Sequence, residues 1–140
     1  MRKVLVAVIV LVVVALALPA AAGGRPLDAT LTGAAEVPGP GDPDGSGSAA
    51  VTINQGLGEV CFDIAVADVD PILAAHIHDA PAGAASGVVV NFDVANNGLS
   101  GCVDVDRDLA MAIRQNPGDY YVNVHNAAFP GGALRGQLEK

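Results

Sequence analysis

Two histidines one residue apart, His76 and His78 in "AAHIHD", and a third, His125 in "YYVNVHN", are the chain's entire imidazole complement. Imidazole is the commonest protein metal ligand, and the spacing suits that use. In an extended strand, residues two apart project from one face about 6.6–6.8 Å from each other. Two such rings can turn toward one ion at about 2.0–2.1 Å. A third imidazole from another strand would complete a His₃ set with a position left open for water or a ligand. Nitrogen donors of this kind suit copper, with zinc as the alternative. The plainer reading makes the three histidines polar strand residues bonded to nearby turns.

The flanking residues say where these rings point. Ala75 and Ile77 alternate with His76 and His78, and Val122 and Val124 alternate with Tyr121, Asn123 and His125. If the apolar set faces the core, all three imidazoles face away from it, as a surface site. Arg135, in "GALRGQL", offers a cation to that site. Matching core faces across a turn at "NAAFPGGA", Val124 with Gly136 and Val122 with Leu138, sets Arg135 opposite His125. There it can guide a small anion toward a bound metal. The alternative for Arg135 is a structural pair with an acid such as Asp79.

These residues need strands to carry them, and the chain supplies short alternating segments divided by Gly, Pro and Asn. Strands are predicted near Leu27–Thr32, Ser48–Asn54, Gly58–Val66, Leu73–His78, Val88–Phe92, Gly101–Val105, Asp119–His125 and Ala133–Leu138. "NQG" and "NNG" have turn chemistry, and "GPGDPDGSGS" reads as a flexible polar loop. Asp106 is placed to cap one helix in which Leu109, Ala112 and Ile113 share a face, ended by Asn116-Pro117-Gly118. The expected fold is all-β: an antiparallel Greek-key sandwich or barrel of about eight strands, immunoglobulin-like or superoxide-dismutase-like, with one short crossover helix.

The first 22 residues read differently. Arg2 and Lys3 precede an apolar run from Val4 to Leu18, then Pro19 and Ala20-Ala21-Ala22. This is the pattern of a secretory signal peptide cleaved after Ala22, leaving a single domain at 23–140 outside the cell. The run is shorter than the roughly 20 residues of a spanning helix, and no later segment is apolar enough to cross a bilayer. The leader holds two of the chain's seven basic residues, so the remainder is more acidic still than the formal −8 of the whole. Such a chain repels phosphate backbones, which argues against nucleic acid as a partner.

Cys61 and Cys102, an even pair in an exported domain, read as a disulfide. Each lies on the polar side of its strand: Cys61 opposite Val60, Phe62 and Ile64, Cys102 opposite Val103 and Val105. "DPDGSG" opens like a calcium loop, but the position needing a bidentate Glu is Ile53, inside a predicted strand. No G-x-S-x-G elbow or phosphate-cradling glycine loop occurs.

Five segments in order, "LTGAAEVP" (Leu31–Pro38), "AAHIH" (Ala74–His78), "GVVVNF" (Gly87–Phe92), "YYVNVH" (Tyr120–His125) and "GALRGQL" (Gly132–Leu138), resemble the CHRD domain named after chordin. The resemblance runs from Leu27 to Leu138. Asp79 departs from it, standing where the family often has Gly. It implies a secreted single-domain form, and no catalytic residue comes with it. More distantly, the H-x-H with a later His is similar to the copper site of copper/zinc superoxide dismutases. The bridging histidine and zinc ligands of those enzymes have no counterpart here, so that likeness implies at most a copper-only site.

The function expected is therefore extracellular metal binding through His76, His78 and His125, with copper favoured. Superoxide dismutation is an open enzymatic extension that is not favoured. The rival is a non-catalytic interaction module without metal, using an exposed patch at Phe129-Pro130 or the Asp42–Ser48 loop.

Overall fold

A computed structural model describes residues 23–140; the expected leader, residues 1–22, lies outside the described residues. Eight strands run β1 (Arg25–Thr32), β2 (Ser46–Asn54), β3 (Glu59–Ala67), β4 (Ala74–Asp79), β5 (Val88–Asn91), β6 (Ser100–Asp104), β7 (Tyr120–His125) and β8 (Leu134–Gln137). All predicted strands are present, with ends moved by a few residues at most. They form one antiparallel sheet in the order β5-β4-β7-β8-β1-β2-β3-β6. The chain crosses the barrel between β3 and β4 and again between β6 and β7, as in Greek-key connections.

The two edge strands, β5 and β6, are consecutive in the chain. A single helical turn, α1 (Val94–Asn97), joins them in place of the plain turn expected at "NNG". So short a link can span the two edges only if the sheet curls until they approach. Phe62 of β3 and Phe92 after β5 stack across this seam, centroids 4.2 Å apart. The result is an eight-stranded, nearly closed barrel.

Alternation along each strand sorts side chains into the barrel or out of it. Leu27, Ala29 and Leu31 of β1, Val51 and Ile53 of β2, and Val60, Phe62 and Ile64 of β3 all point inward and are buried. Ile77 of β4 and Val122 and Val124 of β7 meet them with no exposed surface. Each such aliphatic contributes about 1.5–3 kcal/mol. The predicted helix is α2 (Arg107–Gln115), where the Asp106 carboxylate accepts from the Asp108 N–H. Ile113 and Ala110 are its fully buried residues, with Leu109 and Ala112 packed partly against the core.

Cys61 and Cys102 are direct partners across β3 and β6, and their sulfurs are bonded. The "GPGDPDGSGS" loop departs from expectation. The Asp42 carboxylate accepts from the N–H groups of Asp44 and Gly45, while the Gly41 and Asp42 N–H groups bond to Gly33 and Ala133. A polar composition alone does not show that a loop is pinned by its own aspartate.

Candidate metal centre

The three histidines meet as the alternation predicts. β4 and β7 are neighbours in register His76↔Asn123 and His78↔Tyr121, with Ala74 opposite His125. That pairing brings rings from two strands onto one outer face. One nitrogen from each of His76, His78 and His125 can be chosen so that all three lie within 4.8 Å of one another.

Hydrogen bonds set which nitrogen each ring offers. His78 Nδ1 lies 3.0 Å from the Ser86 carbonyl and His125 Nδ1 lies 3.1 Å from the Pro130 carbonyl. A carbonyl only accepts, so both Nδ1 atoms carry the proton and both Nε2 lone pairs are free. His78 Nε2 is buried and has no hydrogen-bond partner among the described residues. His125 Nε2 lies 3.2 Å from His76 Nδ1. Two nitrogens bound to one ion at a tetrahedral angle are about 3.3–3.4 Å apart, so this separation suits a shared ion. Without a metal, the His76 Nδ1–H donates to His125.

The expected outer-face site is sunken at one of its three rings: His76 and His125 are half-buried, and His78 is covered. His78 is 8 % exposed, and Tyr121 and Asn123 on the same outer face are buried too. The segment from Ala80 to Ala84, held by Arg135 and Gln137, folds over part of that face. Burial is the first cause that lowers all three imidazoles below their ordinary range. His76 falls to about 4, with the His125 and His78 rings adding to the effect. Neutral imidazole is the form that binds a metal.

Arg135 is the main correction. β7 and β8 pair as Val124↔Leu134, Asn123↔Arg135 and Val122↔Gly136, two residues from the register expected. Arg135 therefore faces Asn123 and not His125, nor is Asp79 its partner. It is 1 % exposed, and its guanidinium donates to the carbonyls of Ala84 and Pro81 and to Gln137 Oε1. Matching core faces allows registers that differ by two, because each keeps every side chain on its face. The tight turn after His125, where the Asn126 side chain accepts from the Phe129 N–H, selects the shorter one.

Several residues that the sequence reading did not single out build the surroundings. The Arg135 guanidinium carbon lies 3.5 Å from the Tyr121 ring centroid, and His78 stacks on that ring at 4.7 Å and 4°. β8 and β4 flank β7, so cation and imidazole take opposite faces of Tyr121. Arg135 and Gln137 also clamp the segment from Ala80 to Ala84, from which the chain continues to the Ser86 carbonyl on His78. Tyr121 was legible only as a residue four before His125 on the same strand face.

Glu36, from "LTGAAEVP", left no signal of its role. Its buried carboxylate accepts from the Asn123 side-chain N–H. Burial pushes it up to about 7, against the pull of Asn123 and Arg135. Gly132 sits at φ +143, and a Cβ there would lie 2.5 Å from Glu36 Oε2. A glycine is therefore needed both for the backbone and for the carboxylate's space.

A second group, Glu59 with Cys61 and Cys102, also lies close together. Its sulfurs are joined to each other, so they are not thiolate ligands.

No curated protein and no solved structure matches the chain. The CHRD domain family matches residues 27–138, a span that takes in every strand from Leu27 onward, the three histidines and the Arg135 clamp. On that match the chain belongs to the CHRD domain family.

Proposed function

We propose that this is an extracellular metal-binding module in which His76, His78 and His125 hold one copper ion, with zinc as the competing metal. One observation carries the reading: a buried His78 Nε2 without a protein partner, beside two other imidazoles that offer nitrogens to the same space. A buried polar atom left unpaired costs about 1–3 kcal/mol, and a ligated ion would remove that cost. The carbonyls of Ser86 and Pro130 hold two of the rings in the tautomer that ligation needs. When bound, copper would supply one-electron chemistry between Cu(I) and Cu(II), whereas zinc would supply a Lewis acid only.

The chain's own residues keep the imidazoles neutral, aim them and limit the access of water. Arg135, held under its own clamp, lends no support to the dismutase extension, so metal holding is the reading favoured here. A leader cleaved after Ala22 would deliver residues 23–140 outside the cell, a setting that the disulfide suits. The interaction-module reading keeps an exposed Pro130 beside half-buried Phe129 and an ordered, largely exposed Asp42–Ser48 loop, but no unpaired buried group points to a partner there.

The test is titration of metal-free protein with copper and with zinc, alongside His76→Ala, His78→Ala and His125→Ala. One-to-one binding weakened at least about 100-fold by each change is expected. Copper binding should fade at lower pH than a site of ordinary imidazoles would, because burial lowers all three rings, His76 to about 4. Equal affinity in all variants would return the chain to the interaction-module class.

A further inference from the structure

The chain is acidic, yet its few cations are not scattered. Besides Arg2 and Lys3, it holds Arg25, Arg107, Arg114, Arg135 and Lys140. Three of these five, Arg25, Arg107 and Arg114, line one cavity of about 390 Å³. No acid lines it, although acids outnumber bases fifteen to seven in the chain.

Three elements make this cavity. Arg25 opens β1, and Arg107 and Arg114 lie seven positions apart on α2, two helical turns along one face. The third side is the hairpin turn between β2 and β3, with Asn54, Gln55 and Gly56. That turn is ordered, because Asn54 Oδ1 accepts from the Leu57 N–H and the Asn54 carbonyl from the Gly58 N–H. Asn54 keeps its amide NH₂ as a donor. Gly58 has φ +70, and a Cβ there would lie 3.3 Å from Arg107 Cγ, so the Arg107 stem lies against the hairpin. β8 separates β1 from the histidine-bearing strands, so this is a different place from the metal centre.

Like charges gathered in one concavity repel, and a counter-anion relieves that repulsion. Guanidinium groups are suited to paired hydrogen bonds with tetrahedral oxyanions, and the amide donors of the turn add to them. We infer that the cavity between the β2–β3 turn and α2 is a binding site for a phosphate- or sulfate-type oxyanion, held by Arg25, Arg107 and Arg114. The ligand is either the free ion or the same group carried on a polysaccharide.

The experiment follows backbone amide resonances of the protein while inorganic phosphate, inorganic sulfate or dextran sulfate is added at constant ionic strength. Saturable shifts at Asn54–Gly56 and along α2, with a dissociation constant of about 1 mM or tighter, are expected for at least one probe. Saturation by the inorganic ions identifies the free ion as sufficient, and saturation by dextran sulfate alone identifies the carried group. Arg107→Gln with Arg114→Gln should weaken binding at least tenfold, Arg107→Lys with Arg114→Lys should weaken it less, and His76→Ala should leave it unchanged. Both arginines are exposed, so neither pair of changes touches the core. Shifts that chloride reproduces, shifts that do not saturate, or a Gln variant that binds as well as the parent would each overturn the assignment.

Discussion

Tyr121 lies between the Arg135 guanidinium and the His78 ring, and so it orients the most deeply buried of the three imidazoles. Tyr121→Leu keeps an apolar body but loses the flat face on which His78 rests. The proposed metal should then bind about tenfold more weakly, read by the same copper titration, with the fold retained by circular dichroism. Glu36 makes a different contribution at this scale. Its folded value near 7 stands above the ordinary 4.5, so between those values the folded chain keeps a proton that the unfolded chain has lost. The Glu36 contribution to stability therefore falls as pH rises from about 4.5 to 7, by up to about 3 kcal/mol, and is level above that. His76, lowered to about 4, and His78 and His125, also lowered by burial, contribute the opposite slope below their ordinary 6.5, so the parent's net profile is not that of Glu36 alone. Comparison with Glu36→Gln, by urea unfolding at pH 5 and pH 8, isolates the carboxylate. The variant should match or exceed the parent at pH 8 and gain less than the parent on going to pH 5. A parent with the larger stability at pH 8 would instead mean that an ionised Glu36 is needed beside Arg135.

At the scale of the element, strand alternation does most of the positioning. It puts His76 and His78 on one face of β4 and His125 on the matching face of β7, and it puts Cys61 opposite Cys102. The disulfide joins β3 to the edge strand β6 across a sequence separation of 41. Replacing both cysteines by serine should cost about 4 kcal/mol in the chain-entropy picture, measured by chemical denaturation. Metal affinity should stay within about threefold of the parent, because distant and independent sites couple weakly. A large loss of affinity would show that the β3–β6 edge bears on the histidines through the barrel seam.

At the scale of the whole molecule, that seam is what makes an open sheet into a nearly closed barrel. Phe92 has no exposed surface, stacks on Phe62 of the far edge and donates its N–H to the Ala75 carbonyl, next to His76. Phe92→Ala should destabilise the protein by about 3–5 kcal/mol, seen as a lowered thermal midpoint. It should also weaken metal binding, since the Phe92 main chain is bonded to Ala75, the neighbour of His76 on β4. A destabilised variant with full metal affinity would show that β4 is held in place by β7 alone.

The sequence by itself determined the eight strands, the capped helix, the inward and outward faces and the pairing of the two cysteines. These follow from a two-residue period and from local turn and cap chemistry, which adjacent residues carry between them. It also determined that His76, His78 and His125 share the outer side, since a face is settled by parity alone. Only the tertiary structure decided which outward residues would be covered. Arg135 shows why: registers two apart are equal in parity, and the turn at Asn126–Phe129 chose the one that sets it against Asn123 and under the segment from Ala80 to Ala84. Glu36 is more than eighty positions from its partner Asn123, and its burial comes from loops folding over the sheet. Loop closure over a sheet leaves no period in the chain, and so the covering of His78 and the lowered pKa of the three imidazoles were written only in the fold.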